Sequence, residues 1–229
     1  MDSSSALALI LSGDRALFAI VRLSLLVTVS ATLLAAIVGM PLGAAVALNR
    51  FPGRDAVTVV LNGLMGLPPV VVGLLVYLAL SRSGPLGPLG LLFTPTAMVI
   101  AQAVLIAPII AALTRQLIED LWAEYRDELT AMELGPLARV SALLWDARFS
   151  LVTIGLAGFG RAAAEVGAVM IVGGNIDGFT RVMTTTIALE TSKGNLALAI
   201  GLGLVLIALI MAVNALAWGI RMWAERHAG

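Results

Sequence analysis

Arg161 and Glu165 are opposite charges four residues apart in a run made otherwise of glycine, alanine, valine, methionine and isoleucine. On a helix that spacing puts both side chains on one face, where they can pair. Ionisable groups in an apolar run are costly, and they face a protein interior or a wet cavity rather than lipid. Two readings stand: a self-neutralising pair that fixes packing, or an arginine that offers positive charge to a passing anion. Pro68 and Pro69 are the second pair with chemical consequences. Neither donates a backbone hydrogen bond, so carbonyls are freed beside them, again in an apolar run. At membrane depth such carbonyls survive only within protein or against water, which leaves a packing kink or a gate-lining turn.

The remaining residues do not compose a reaction centre. No GxxxxGK[ST] phosphate loop occurs in the sequence, so ATP, if it drives anything here, is held by another chain. Cysteine is absent, which removes disulfides and thiol chemistry. His227 is the single histidine. It stands near the end of the chain without the neighbours a metal site needs and reads as a solvated tail residue. No nucleophile–base constellation stands out, so the chain does not read as an enzyme. Fourteen basic and 14 acidic residues balance, and nothing in that charge suggests nucleic acid.

The elements that must carry these residues are read from composition. The chain is 60% hydrophobic and 12% charged, with mean hydropathy +1.02. A soluble domain carries about twice that charged fraction, and a porin-like barrel would alternate in short segments. The expectation is an all-α membrane bundle with five spans, at residues 16–48, 57–80, 94–113, 151–172 and 196–218. The first, with Pro41, is long enough to tilt or kink. Thr94-Pro95 is a good helix start. Residues 1–14 lack a basic n-region and a small-residue cleavage site and are not read as a removed signal. Arg50, Arg54, Arg115, Arg126, Arg139, Arg148, Arg221 and Arg226 fall on one side, and Arg15, Arg82, Arg181 and Lys193 on the other. The positive-inside rule then places the N-terminus outside and the C-terminus in the cytoplasm, with Arg221, Trp223 and Arg226 as interfacial anchors.

The stretch between the third and fourth spans, residues 117–150, is of a different kind. Leu117, Ile118, Leu121, Trp122, Tyr125, Leu129 and Met132 share one helical face, and Glu119, Asp120, Glu124, Asp127 and Glu128 lie mostly on the other. Gly135-Pro136 breaks the helix, and Pro136 can start the next, whose stripe is Leu137, Val140 and Leu144. Such a segment either lies on the membrane as a connector or docks a soluble partner. Gly135 is expected to need a positive φ or a close backbone approach. Gly155, Gly158, Gly160 and Gly167 give the fourth span a close-packing face, for the bundle or for a second copy.

The Gly135 region resembles the cytoplasmic coupling motif of binding-protein-dependent ABC importers, which reads Glu-Ala-Ala, three variable residues, glycine, then Ile-x-Leu-Pro. Ala131 and Gly135 match, Glu128 stands one place early, and Ala147-Arg148 replaces the final Leu-Pro. Leu67-Pro68-Pro69-Val70-Val71-Val72-Gly73 looks like molybdate-type permeases, as do residues 160–168 with Gly173-Gly174-Asn175-Ile176. Residues 184–195 are most similar to the tungstate permeases of that group. Order and spacing extend the resemblance over nearly the whole chain.

The resemblance implies one transmembrane domain over residues 1–229, of the five-span type I ABC importer kind, working as a homodimer in the (inner) membrane. Two ATPase subunits would hold ATP and Mg, with no cofactor in this chain. An extracytoplasmic binding protein would deliver tungstate or a similar tetrahedral oxyanion, with molybdate or sulfate as the alternative. Under this reading Ala131, Glu133, Gly135, Pro136 and Leu137 couple to the ATPase, and Pro68, Pro69, Arg161 and Glu165 line the pathway or its gate. Arg181, Thr184, Thr185, Glu190 and Lys193, on an outer loop, dock the binding protein. A self-sufficient secondary transporter would need its own coupling-ion site, usually in repeated halves. Glu165 alone qualifies as such a carboxylate, and no internal repeat is seen.

Overall fold

The computed structural model describes residues 15–227. The reading of residues 1–14 lies outside them, as do the side chains of Arg221, Arg226 and His227. The helices run α1 (Arg15–Leu48), α2 (Arg54–Leu64), α3 (Pro69–Leu80), α4 (Pro95–Ala131), α5 (Pro136–Asp146), α6 (Arg148–Ala163), α7 (Gly167–Gly173), α8 (Met183–Ser192) and α9 (Leu196–His227), with one 3-10 turn at Gly87–Leu89. Among the described residues there is no strand.

Three helical stretches are long and apolar enough to cross a membrane: Leu17–Leu48, Pro95–Ala131 and Leu196–Ile220. The other candidates are bent pairs. α2 and α3 meet at 103°, and α5 and α6 at 77°. Counting each bent pair as one span brings the number to five. The stretch expected as one helix over residues 57–80 is therefore two. Pro68 stands in extended conformation and Pro69 takes the first position of α3, so the prolines start a helix rather than kink one. Residues 151–172 are also divided, because α6 ends at Ala163 and α7 begins at Gly167. At 1.5 Å per residue α6 is only about 24 Å long, short of a bilayer core of roughly 30 Å.

α1 and α4 form the spine. A Cβ on Gly39 would stand 2.9 Å from Ala107 O, and one on Gly43 2.2 Å from Ala111 O. Only glycine lets the two backbones come this close, and the four-residue spacing keeps both glycines on one face. Ala31, Ala35 and Ala44 continue that face and are buried. The upper core gathers Val27, Met98, Ile106, Ala162, Ala168 and Val172 around this seam.

α4 does not stop where its apolar run ends. It continues as one helix to Ala131, about 55 Å in all by its rise per residue. Its lower half packs Leu117, Leu121, Trp122, Tyr125 and Leu129 against Leu143, Val140 and Leu144 of α5. The apolar face anticipated for that stretch is thus covered by the chain itself as far as Leu129, while Met132 is exposed. Beside it, Arg54 joins three helices. Its guanidinium donates to Val46 O (2.9 Å) and Ala47 O (3.0 Å), which closes the C-terminus of α1. It also pairs with Glu119 of α4, whose second oxygen takes Arg115.

Candidate functional site

Arg161 and Glu165 do pair, but across a break and not along a helix. Arg161 belongs to the last turn of α6, and Glu165 lies beyond its end at Ala164. Arg161 Nη1 donates to Glu165 Oε2 at 2.9 Å. Glu165 Oε1 accepts the amide of Ala168 at 3.0 Å, so the same carboxylate caps the first turn of α7. Glu165 is 3% exposed, whereas the Arg161 side chain is 33% exposed. The acid is built into the joint, and the guanidinium reaches out of it.

The backbone at the break is held by neighbours. Gln102 Nε2 of α4 donates to Ala162 O at 3.1 Å, and Thr184 Oγ1 of α8 donates to Glu165 O at 2.8 Å. The start of α8 is tied to α1, since Met183 N donates to Ser24 Oγ at 2.8 Å. Ser24, Thr28, Gln102 and Thr184 border a small recess whose other walls include Phe159, Leu206 and Leu209. Gln102 Oε1 is buried there without a protein partner.

The structure brings the proline pair to the same place. A Cβ on Gly73 would lie 2.7 Å from Ala168 Cα, and one on Gly167 would lie 3.0 Å from Val70 Cγ2. The start of α3 therefore rests on the start of α7, next to Glu165. The helix that Pro68 and Pro69 start thus packs on α7, which follows the Arg161–Glu165 break.

The coupling residues sit at the far end of α4. Ala131 closes the helix, Glu133 takes a left-handed turn (φ 51°), and Pro136 opens α5 at its first position. Gly135 departs from expectation. Its φ is −66° and ψ 162°, extended backbone open to any residue. A Cβ there would meet nothing within 4 Å. The strained position is Glu133, two residues earlier. Leu137 is 86% exposed, and Met132 and Trp145 are exposed with it.

The outer segment departs further. Residues 183–192 are a helix that packs against α9, not a solvated loop. Thr184 and Thr185 are buried. Thr184 serves Glu165, while Thr185 accepts the amide of Val182 and donates to its carbonyl. In an apolar bundle a threonine hydroxyl satisfies backbone groups more readily than it meets solvent, and both hydroxyls are engaged within the bundle. Glu190 is buried too, and it takes Lys193 Nζ and Asn195 Nδ2, each at 2.9 Å. Those two donors, Lys193 first, hold its carboxyl below the ordinary range. Arg181 is tied to Asp177 at 2.9 Å. Lys193 remains exposed, along with Ile176, Asp177 and Phe179.

Sequence reasoning missed Gln102, although an amide in an apolar span is a usable signal. It also missed the close approaches at Gly39 and Gly43 of α1, whose four-residue spacing was legible, and at Gly73 of α3; their partners on other helices were not legible. Of the fourth-span glycines, Gly158 packs on Ile110 and Gly167 on Val70, while Gly155 and Gly160 face open space. Among the described residues no group of three metal-ligating side chains gathers.

No family model matches the chain. Curated relatives do. A probable anion ABC transporter permease protein of Haloferax volcanii is 44% identical over 207 residues, 87% of this chain and 88% of the relative. The tungstate uptake system permease protein TupB of Peptoclostridium acidaminophilum is 41% identical over 217 residues, 95% of each. Its namesake in Campylobacter jejuni is 39% identical over 165 residues, 72% of this chain and 69% of the relative.

Proposed function

The chain belongs to the permease subunits of ABC anion transporters, and from that premise we propose that it carries tungstate, or a tetrahedral oxyanion like it, into the cytoplasm. It is a multi-pass membrane protein. The tungstate assignment draws on the relatives matched at 41% and 39% identity, both named as tungstate uptake permeases. The geometric observation that carries the transport reading is the joint at Glu165. A helix is broken inside the bundle, its acid is neutralised in place, and one guanidinium is left partly exposed beside the start of a second short helix. Two copies would give a sparse positive lining. A site that gripped a dianion tightly would not release it.

In this reading two copies of the chain enclose the path and ATP is hydrolysed by separate subunits. Those subunits dock where α4 turns into α5, around Ala131, Glu133, Gly135, Pro136 and the exposed Leu137. The N-terminus faces outward, as the arginine distribution supports. An extracytoplasmic binding protein hands over the anion on the side of Arg181 and Lys193. With the threonines and Glu190 buried, its contacts fall to the exposed residues of that side.

Competitive uptake tests the substrate. Vesicles that hold the permease with its ATPase and binding protein are loaded with labelled tungstate against excess molybdate or sulfate. Unlabelled tungstate should compete best. If molybdate or sulfate competes equally well, the tungstate assignment fails and the anion importer stands.

A further inference from the structure

The break between α6 and α7 leaves backbone carbonyls inside the bundle without their helical amides, and two of them are met from other helices. In an unbroken helix Ala162 O would receive the amide of Val166, and Glu165 O that of Val169. Ala162 O keeps a tight-turn bond from Glu165 N at 3.1 Å. Further donors to these two carbonyls come from other helices. Gln102 reaches Ala162 O from α4, and Thr184 reaches Glu165 O from α8. Gln102 is 4% and Thr184 8% exposed, so neither donor competes with water. The two clamps stand on either side of Ala163 and Ala164, the residues over which the chain changes direction.

Neither clamp touches the Arg161–Glu165 ion pair itself. Each holds the backbone that carries it. Both are neutral donors, and a charged one would set a second field beside Arg161 and carry a large desolvation penalty. Thr184 is itself held firmly, because the amide before it is bound to Ser24 of α1. Gln102 is anchored through its Nε2 alone.

We propose that Gln102 and Thr184 are positioning residues for transport: they set the angle of the joint and thereby the direction in which Arg161 is presented. This rests on the reading of Arg161 as a pathway residue. Thr184, anticipated as a docking hydroxyl, belongs on this account to the pathway's inner support.

The test is tungstate uptake by the whole complex of permease, ATPase and binding protein, with each rate taken per folded complex. Thr184→Val keeps the volume and removes the hydroxyl, Thr184→Ser keeps the hydroxyl, and Gln102→Leu removes the amide. Thr184→Val and Gln102→Leu should each lower maximal uptake about fivefold, and Thr184→Ser should stay within about twofold of the native rate, as for one buried hydrogen bond lost or kept. The double variant with Arg161→Ala should be no slower than Arg161→Ala alone, because both changes act through one pair. Native uptake in Thr184→Val, or effects that multiply with Arg161→Ala, overturns the proposal. Native uptake in Arg161→Ala overturns the pathway reading instead, so the two failures separate. If Thr184→Val does not assemble, Gln102→Leu in the same cycle decides.

Discussion

Glu165 gives one carboxylate oxygen to Arg161 and the other to the amide of Ala168, so a single side chain neutralises a charge and caps a helix. Glu190 plays the corresponding part at the corner between α8 and α9. There it takes Lys193 and Asn195 through its side chain, and the amide of Asn195 at 2.9 Å through its carbonyl. Hydrogen bonds to the ionised form, from Lys193 first, lower its pKa. A carboxyl lowered on folding adds stability above its unfolded pKa, and that stability is lost as pH falls through the folded value. The corner should therefore stay closed at neutral pH and loosen only below the usual carboxylate range. Amide exchange at Asn195, followed against pH, reads this directly. Measured as protection relative to the intrinsic exchange rate, the pH dependence should vanish in Glu190→Gln, and its persistence would point to another group. The charge spacing made both acids visible in the sequence. Their partners were hidden, because a partner from another helix leaves no local pattern.

At the scale of elements, α1, α4 and α9 were legible because each carries an apolar run longer than the roughly 20 residues a bilayer needs. The break at residues 164–166 was not. Ala164, Glu165 and Val166 are not strong helix breakers, and what holds them open is tertiary: Gln102, Thr184 and the packing of Gly73 on Ala168. The turn between α4 and α5 was legible from Gly135-Pro136, although the strain was assigned to the wrong residue. This sharpens the meaning of a substitution there. Gly135→Leu places its side chain in open space, so the chain should fold and insert as before. If the ATPase docks on this turn, the leucine meets the partner. Retention of the ATPase on the purified permease should fall about tenfold, near 1.4 kcal/mol, on the scale of one well-packed interface contact. Native uptake and retention in Gly135→Leu would falsify docking at this turn.

For the whole molecule, the described residues of a single copy enclose no channel around Arg161, and the proposed homodimer would supply one. The face of α6 beside Arg161 is partly spoken for. Gly158 is filled by Ile110, while Gly155 and Gly160 are open and Ala157 and Ala164 are exposed. The native chain has no cysteine, so single cysteines can be introduced on a clean background. Cysteines at Ala157, Gly160 and Ala164 should form crosslinked dimers in the membrane, and one at Gly158 should not. Crosslinking without regard to position, or transport by a monomeric particle, rules the arrangement out.

The glycine seam between α1 and α4 has a mechanical consequence. Two rods free to slide past each other bend easily, whereas two rods bonded along their length behave as a laminate and resist. Gly39 and Gly43 seat the backbone of α1 on that of α4 so closely that relative sliding is blocked at Ala107 and Ala111. The pair is the stiff member of the structure, running from the level of Ile118 to that of Gln102. A load applied at the foot of α4 is not absorbed on the way up. In the proposed transport cycle compliance would fall to the short members, α3 and α7, and movement would be taken up at the three residues between Ala163 and Gly167.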